Sequence, residues 1–139
     1  MIPTSEVRDG KHNGKTVWIC HYNRPDLEKK ALRNIPPTKV LICSNDELPK
    51  NKTVYYSVSH FRPIGKTGKP GSKVISPVDN TGYRMRSGNE LFVFESEEEC
   101  KASWNYQLQT HIERLDDLIE NAANRWRKEK ATLVEAIEG

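Results

Sequence analysis

The chain has 139 residues, of which 35% are hydrophobic and 29% charged, with a net charge of +3. That is about one domain's worth of sequence with a modest core, and no apolar run approaches the ~18 residues that would cross a membrane. Three widely spaced cysteines, Cys20, Cys43 and Cys100, together with a polar start (MIPTSEVRDGKHNGK) that lacks the apolar stretch of a signal peptide, predict reduced thiols and a cytoplasmic location.

The charge is unevenly placed. Residues 1–95 carry 16 Lys+Arg and 9 Asp+Glu, a balance of +7, whereas residues 96–139 carry 6 and 10, a balance of −4. The front is therefore read as a basic domain, 1–95, and the rest as a helical element for association or packing, 96–139. A basic front suits a polyanionic partner and an acidic tail does not. Mutual attraction of the two halves would produce the same asymmetry.

Residues 1–15, with Gly10 and Gly14, read as a loose arm. Thr16 to Tyr22 (TVWICHY) is β-branched and aromatic, hence a strand; neither face is plainly polar, so it should be central. Asn23-Arg24-Pro25-Asp26 is turn chemistry, and Asp26 to Arg33 suits a short helical turn that Pro36-Pro37 stops. Lys39 to Cys43 predicts a second strand. Thr53 to Arg62 (TVYYSVSHFR) predicts the longest, with Pro63 ending it or marking an edge. Ile64 to Ser72, with three Gly and one Pro, predicts the loop with most freedom. A short strand at Lys73 to Ser76 and a hairpin of Tyr83–Arg86 with Leu91–Glu95 around Ser87-Gly88-Asn89 complete the front. Five or six short strands predict a small twisted sheet or a partial barrel.

The most legible element begins at Ser96. With Glu99 it forms an S-x-x-E capping box, and Glu97, Glu98 and Glu99 complement the helix N-terminus. Apolar residues then recur in steps of four and three at Leu108, Ile112, Leu115, Ile119, Ala122 and Trp126. Leu133 and Ala136 continue the series beyond Glu129, and no Pro or Gly interrupts it. At about 1.5 Å per residue the helix would reach roughly 60 Å, too long for so small a core to cover. It should fold back as a hairpin or pair with another helix, such as that of a second copy of the chain. The order of its charges, Glu113, Asp116, Asp117 and Glu120 before Arg125, Arg127, Lys128 and Lys130, suits two antiparallel copies.

Three chemistries compete in the front. A zinc site would need Cys20, His21 and Cys43 to converge, with no C-x-x-C or H-x3-H spacing to support it, so no metal or cofactor is expected. A phosphodiester-acting enzyme could draw on His60, Arg62, Asp79, Asn80, Tyr83, Arg84 and Arg86, yet no motif with a mechanism is present. Adjacent Ser59 and His60 point to opposite faces of a strand and cannot act together there. Nucleic-acid binding, mostly nonspecific, would use Lys50, Lys52, Arg62, Lys66, Lys69, Lys73, Arg84 and Arg86 on phosphates and Tyr55 among the interleaved aromatics Tyr56, Phe61 and Tyr83 for stacking.

The runs Thr53–Ile64 (TVYYSVSHFRPI), Val74 to Arg84 (VISPVDNTGYR) and Leu91 to Cys100 (LFVFESEEEC) give residues 16–104 a texture that resembles small accessory proteins of large T4-like tailed phages. The resemblance implies a non-enzymatic binder acting in the host-cell cytoplasm on nucleic acid, a host enzyme or a defence protein, and transfers no catalytic residue. The β part also resembles SH3-like barrels, although no diagnostic KOW pattern is present. The expected protein is thus α+β: a small basic β-sheet or SH3-like partial barrel, then a long helix or helical hairpin. It would bind nucleic acid through the front and associate, as a homodimer or otherwise, through Leu108, Ile112, Leu115, Ile119 and Trp126. The alternative is an inhibitor of a host or defence protein.

Overall fold

The computed structural model describes residues 1–22, 34–78 and 91–138. In chain order these form α1 (Thr4–Arg8), β1 (Thr16–His21), β2 (Ile35–Ser44), a single 3-10 turn (Asn45–Glu47), β3 (Ser59–Pro63), β4 (Phe92–Phe94) and α2 (Glu97–Glu138). The four strands make one antiparallel sheet in the order β3-β2-β1-β4. The fold is α+β. The sheet is open and does not close into an SH3-like barrel.

Register follows from burial. Val17 lies opposite Val40, Ile42 opposite Phe61 and Ile19 opposite Val93, so one face of the sheet presents an unbroken apolar set. Val7 of α1, Ile2, Ile75 and Leu91 close over that face to complete the main core. Each fully buried Ile, Phe or Val there is worth about 1.5–3 kcal/mol. On the opposite face Cys20 and Phe94 pack against Cys100 from the first turn of α2, flanked by Trp18 and Trp104. Trp104 also meets Tyr22 edge to face at 5.8 Å.

β1 is the strand expected, and its place between β2 and β4 is central. Three other expectations are corrected. The start of the chain is not a loose arm: Ile2 bridges Val93 through its N–H at 2.8 Å, and α1 buries Val7. A five-residue helix with one inward side chain has no periodicity to detect. Gly10 ends it in the left-handed region at φ +81°, where a Cβ would also meet Val58 Cγ2 at 3.2 Å. β2 starts earlier than predicted, at Ile35. It absorbs Pro36 and Pro37 at a register shift, where prolines are tolerated because no ladder N–H is needed.

β3 is shorter than predicted. Tyr56 adopts φ +63° and breaks the extended run. The chain before Ser59 bonds elsewhere: Val58 N–H donates to Arg8 O at 2.9 Å, Asn45 N–H to Val58 O at 2.9 Å, and Asn45 Nδ2 to Ser57 O at 2.6 Å. Pro63 ends β3, as expected. Residues 73–76 contribute a single bridge, Phe61 to Ile75, on the outer edge of β3. The predicted helical turn at 26–33, and the 83–86 arm of the hairpin, lie outside the described residues.

α2 is one continuous helix of 42 residues, about 63 Å long, and not a hairpin. Ser96 Oγ accepts the Glu99 N–H at 3.2 Å, as the capping box requires, and Lys101 pairs with Glu97 at 2.7 Å one turn on. The chain divides into two compact units, Met1–Asn105 and Tyr106–Gly139. The first turns of α2 thus belong with the sheet. No helix among the described residues is long and apolar enough to cross a membrane.

Candidate nucleic-acid interface

The connection between the 3-10 turn and β3 brings the first group of predicted residues together. Lys50 and Lys52 are exposed on a turn closed by Lys52 N–H to Pro49 O at 3.1 Å, with Asn51 at φ +68°. Next in the chain come Tyr55 and Tyr56, 59% and 69% exposed, their rings tilted at 52° with centroids 6.4 Å apart. Tyrosine at positive φ costs about 1–2 kcal/mol and persists only where its surroundings impose it. Here the bonds of Ser57 and Val58 to Asn45 and Arg8 impose it, and the outcome is two phenol rings held out in water. Beside them Arg8, Asp9, Tyr56, Ser57 and Val58 line an open cavity of about 410 Å³. Asp46 and Glu47 precede the turn and offset the charge of its two lysines, as Asp9 offsets Arg8.

The second group sits on the connection that leaves β3 from its other end. Lys66 and Lys69 are exposed on a loop that an Ile64–Pro70 bridge closes. Arg62 fixes the base of that loop: its Nε and Nη2 both donate to Gly71 O, at 2.9 and 2.6 Å. Arg62 is thus a clamp for the loop. Lys73 is exposed on the rim of a cavity of about 590 Å³ whose other walls include Ile35, Pro36, Thr38 and Pro63. Among the described residues, Lys50, Lys52, Lys66, Lys69 and Lys73 form no ion pair. Arg84, Arg86 and Asp79 lie outside the described residues. Among the described residues the predicted basic set is therefore two groups on connections leaving opposite ends of β3, and the first is followed in the chain by the exposed pair Tyr55 and Tyr56.

His60, Cys20, Cys43 and Cys100 are all buried. His60 is fully buried, opposite Cys43 on β2, with Nδ1 at 3.1 Å from Asn45 Oδ1. Burial, helped by the Arg62 charge, lowers its pKa below 6.5 and keeps the ring neutral. Ser59 faces the other way and its hydroxyl donates to Asn13 Oδ1 at 2.5 Å. Burial raises the Cys43 thiol above its ordinary value. β1 and β2 do pair, but their antiparallel register sets Cys20 beyond Thr38 and Cys43 beyond Leu41, at opposite ends of the pair. Cys20 instead donates to Cys100 O at 3.7 Å. The Cys100 thiol is held up by its hydrogen bond with Cys20, by burial and by Glu97, which together outweigh the helix N-terminus. Among the described residues, no three His, Cys, Asp or Glu gather as a metal site would require.

Sequence reasoning chose Tyr55 for this interface but left out Arg8 and gave Tyr56 no special part. Arg8 lay in a segment read as a loose arm. The conformation of Tyr56 has no signal in composition, because tyrosine rarely takes it. Compared with known proteins, the chain matches no family model, no curated protein and no solved structure.

Proposed function

We propose that this is a non-enzymatic binding protein that holds nucleic acid, preferentially single-stranded, against the Tyr55–Tyr56 pair. The observation that carries the reading is the exposure of both rings on a backbone that places Tyr56 at φ +63°, next to Lys50 and Lys52. Unpaired bases stack on exposed aromatic faces whatever their identity, while lysines meet the phosphates, so the binding is sequence-tolerant. Lys50 and Lys52 together can meet about two phosphates. The salt slope for a single strand is then near −0.7 per phosphate, roughly −1.4 in log K against log salt.

The test is fluorescence anisotropy of a labelled oligonucleotide, single- and double-stranded, across a salt series. Tyr55→Ala should weaken single-strand binding by about 5- to 150-fold, the loss of one stacked base at about 1–3 kcal/mol. Equal affinity of Tyr55→Ala and the parent chain would sink the reading. So would salt-independent capture of one protein with no affinity for oligonucleotides, the behaviour of an inhibitor of a host or defence protein.

A further inference from the structure

From Leu108 to Ala136, α2 carries nine positions in strict four-three alternation, and eight are apolar, Glu129 being the exception. Five of them, Ile112, Leu115, Ile119, Trp126 and Leu133, are between 45% and 66% exposed. Four heptads of this pattern form the seam of a two-stranded coiled coil. An isolated surface helix has no use for so long an apolar stripe. We infer that a second copy of this chain covers it, running antiparallel, with the two-fold axis near Ala122. The inference goes beyond the nucleic-acid reading and stands whether or not that reading holds.

Charge decides both the occupant and its direction. Taking Ile112, Ile119, Trp126 and Leu133 as a positions, Leu115, Ala122, Glu129 and Ala136 are d positions. A parallel, in-register pair would set Glu129 against Glu129 inside the seam. It would also set Arg125, a g position, against Lys130, the e position five residues on in the other chain, and like charges there repel. Reversal removes both conflicts. The acidic block Glu113, Asp116, Asp117 and Glu120 and the basic block Arg125, Arg127, Lys128 and Lys130 are placed symmetrically about Ala122. In an antiparallel pair the e positions face one another, so Asp116 of each copy lies beside Lys130 of the other, close to the axis, while the remaining residues of the two blocks stand at b, c, f and g positions.

Packing agrees with this. Ala122 and Ala123 are small where the two chains cross the axis, which lets the backbones approach. Arg125 already lies over the Trp126 ring, 5.4 Å from its centroid, and shields the flank of the largest seam residue. Among the described residues the two blocks are linked within the helix by a single exposed pair, Arg127 to Glu120 at 3.7 Å. Such a pair contributes little and leaves the remaining charges available to a partner.

The experiment is sedimentation equilibrium of the purified full chain, joined to disulfide trapping. The parent chain should sediment at twice 16.0 kDa. Ile119→Lys, at a side chain already exposed in the single chain, should keep its helical circular dichroism yet weaken the dimer by at least about 100-fold, since each dimer loses two buried isoleucines. Ala122→Cys, close to the axis, should cross-link to itself under mild oxidation. Ala136→Cys should not, because its two copies would stand about 40 Å apart. The trapping arm needs no destabilising variant. A chain monomeric at every concentration, or one that pairs only with a different protein, overturns the inference. Cross-linking of Ala136→Cys as readily as Ala122→Cys overturns the antiparallel order.

Discussion

Replacing Tyr56 by glycine separates two roles that this residue combines. The left-handed backbone costs a non-glycine residue about 1–2 kcal/mol, which glycine would recover at φ +63°. Against that stand the extra freedom glycine gives the unfolded chain, about 0.5–1 kcal/mol, and the loss of whatever burial the ring has. The ring is 69% exposed, so that last loss is on the order of 0.5 kcal/mol. The net change in stability is about zero, within roughly 1 kcal/mol either way. For a folded unit of this size that is a Tm shift of no more than about 4–8 °C. Binding of a single-stranded oligonucleotide, in contrast, should fall by about 5- to 150-fold, because one stacking face is gone. Thermal unfolding followed by circular dichroism and anisotropy titration on the same preparation measure both. Tyr56→Gly unfolding more than about 10 °C below the parent, with the affinity of the remaining folded fraction unchanged, would show that the residue is a packing element. The account of a strained backbone displaying a ring would then be wrong.

Three further outcomes are expected. His60 is held neutral, its pKa lowered by burial and by Arg62; the unfolded chain therefore takes up its proton first, and stability is complete above about pH 6.5 and declines as pH falls below it. Urea unfolding between pH 8 and 5 should show that decline, and His60→Gln should flatten it. Arg62→Ala removes both hydrogen bonds to Gly71 O and should raise the rate of limited trypsin cleavage after Lys66 several-fold while far-ultraviolet circular dichroism stays unchanged. Ser96→Ala removes the acceptor for the Glu99 N–H and should destabilise the Met1–Asn105 unit by about 1 kcal/mol in chemical denaturation, with Ser96→Asp close to neutral.

What could be read from the sequence was whatever rests on local periodicity. β1 followed from a β-branched, aromatic run, and α2 from a capping box with a long four-three repeat. Both properties act within a few residues, so a linear reading captures them. β3 was overextended because the alternation in TVYYSVSHFR continues through Tyr56, while the chain is turned there by bonds to Arg8 and Asn45, one of them far off in sequence. β2 was truncated at its prolines because a bulge, which tolerates them, depends on the facing strand. The site divides along the same line. That lysines would be exposed was legible from the Gly, Pro and Asn around them. Which lysines would accompany an aromatic pair was not, because strand register sends the two basic connections to opposite ends of β3. The hydrogen bonds of Arg62 to Gly71 O have no mark in the sequence, because the two residues meet only once the loop has closed.

Both flanks of the sheet are occupied by short pieces of the chain itself. Ile2 takes the outer side of β4 at Val93, and Ile75 takes that of β3 at Phe61. Among the described residues each outer edge is thus engaged at one bridge, which shortens the row of free backbone donors and acceptors open to a foreign peptide or to edge-to-edge stacking. A peptide that adds to either edge must first displace Ile2 from Val93 or Ile75 from Phe61.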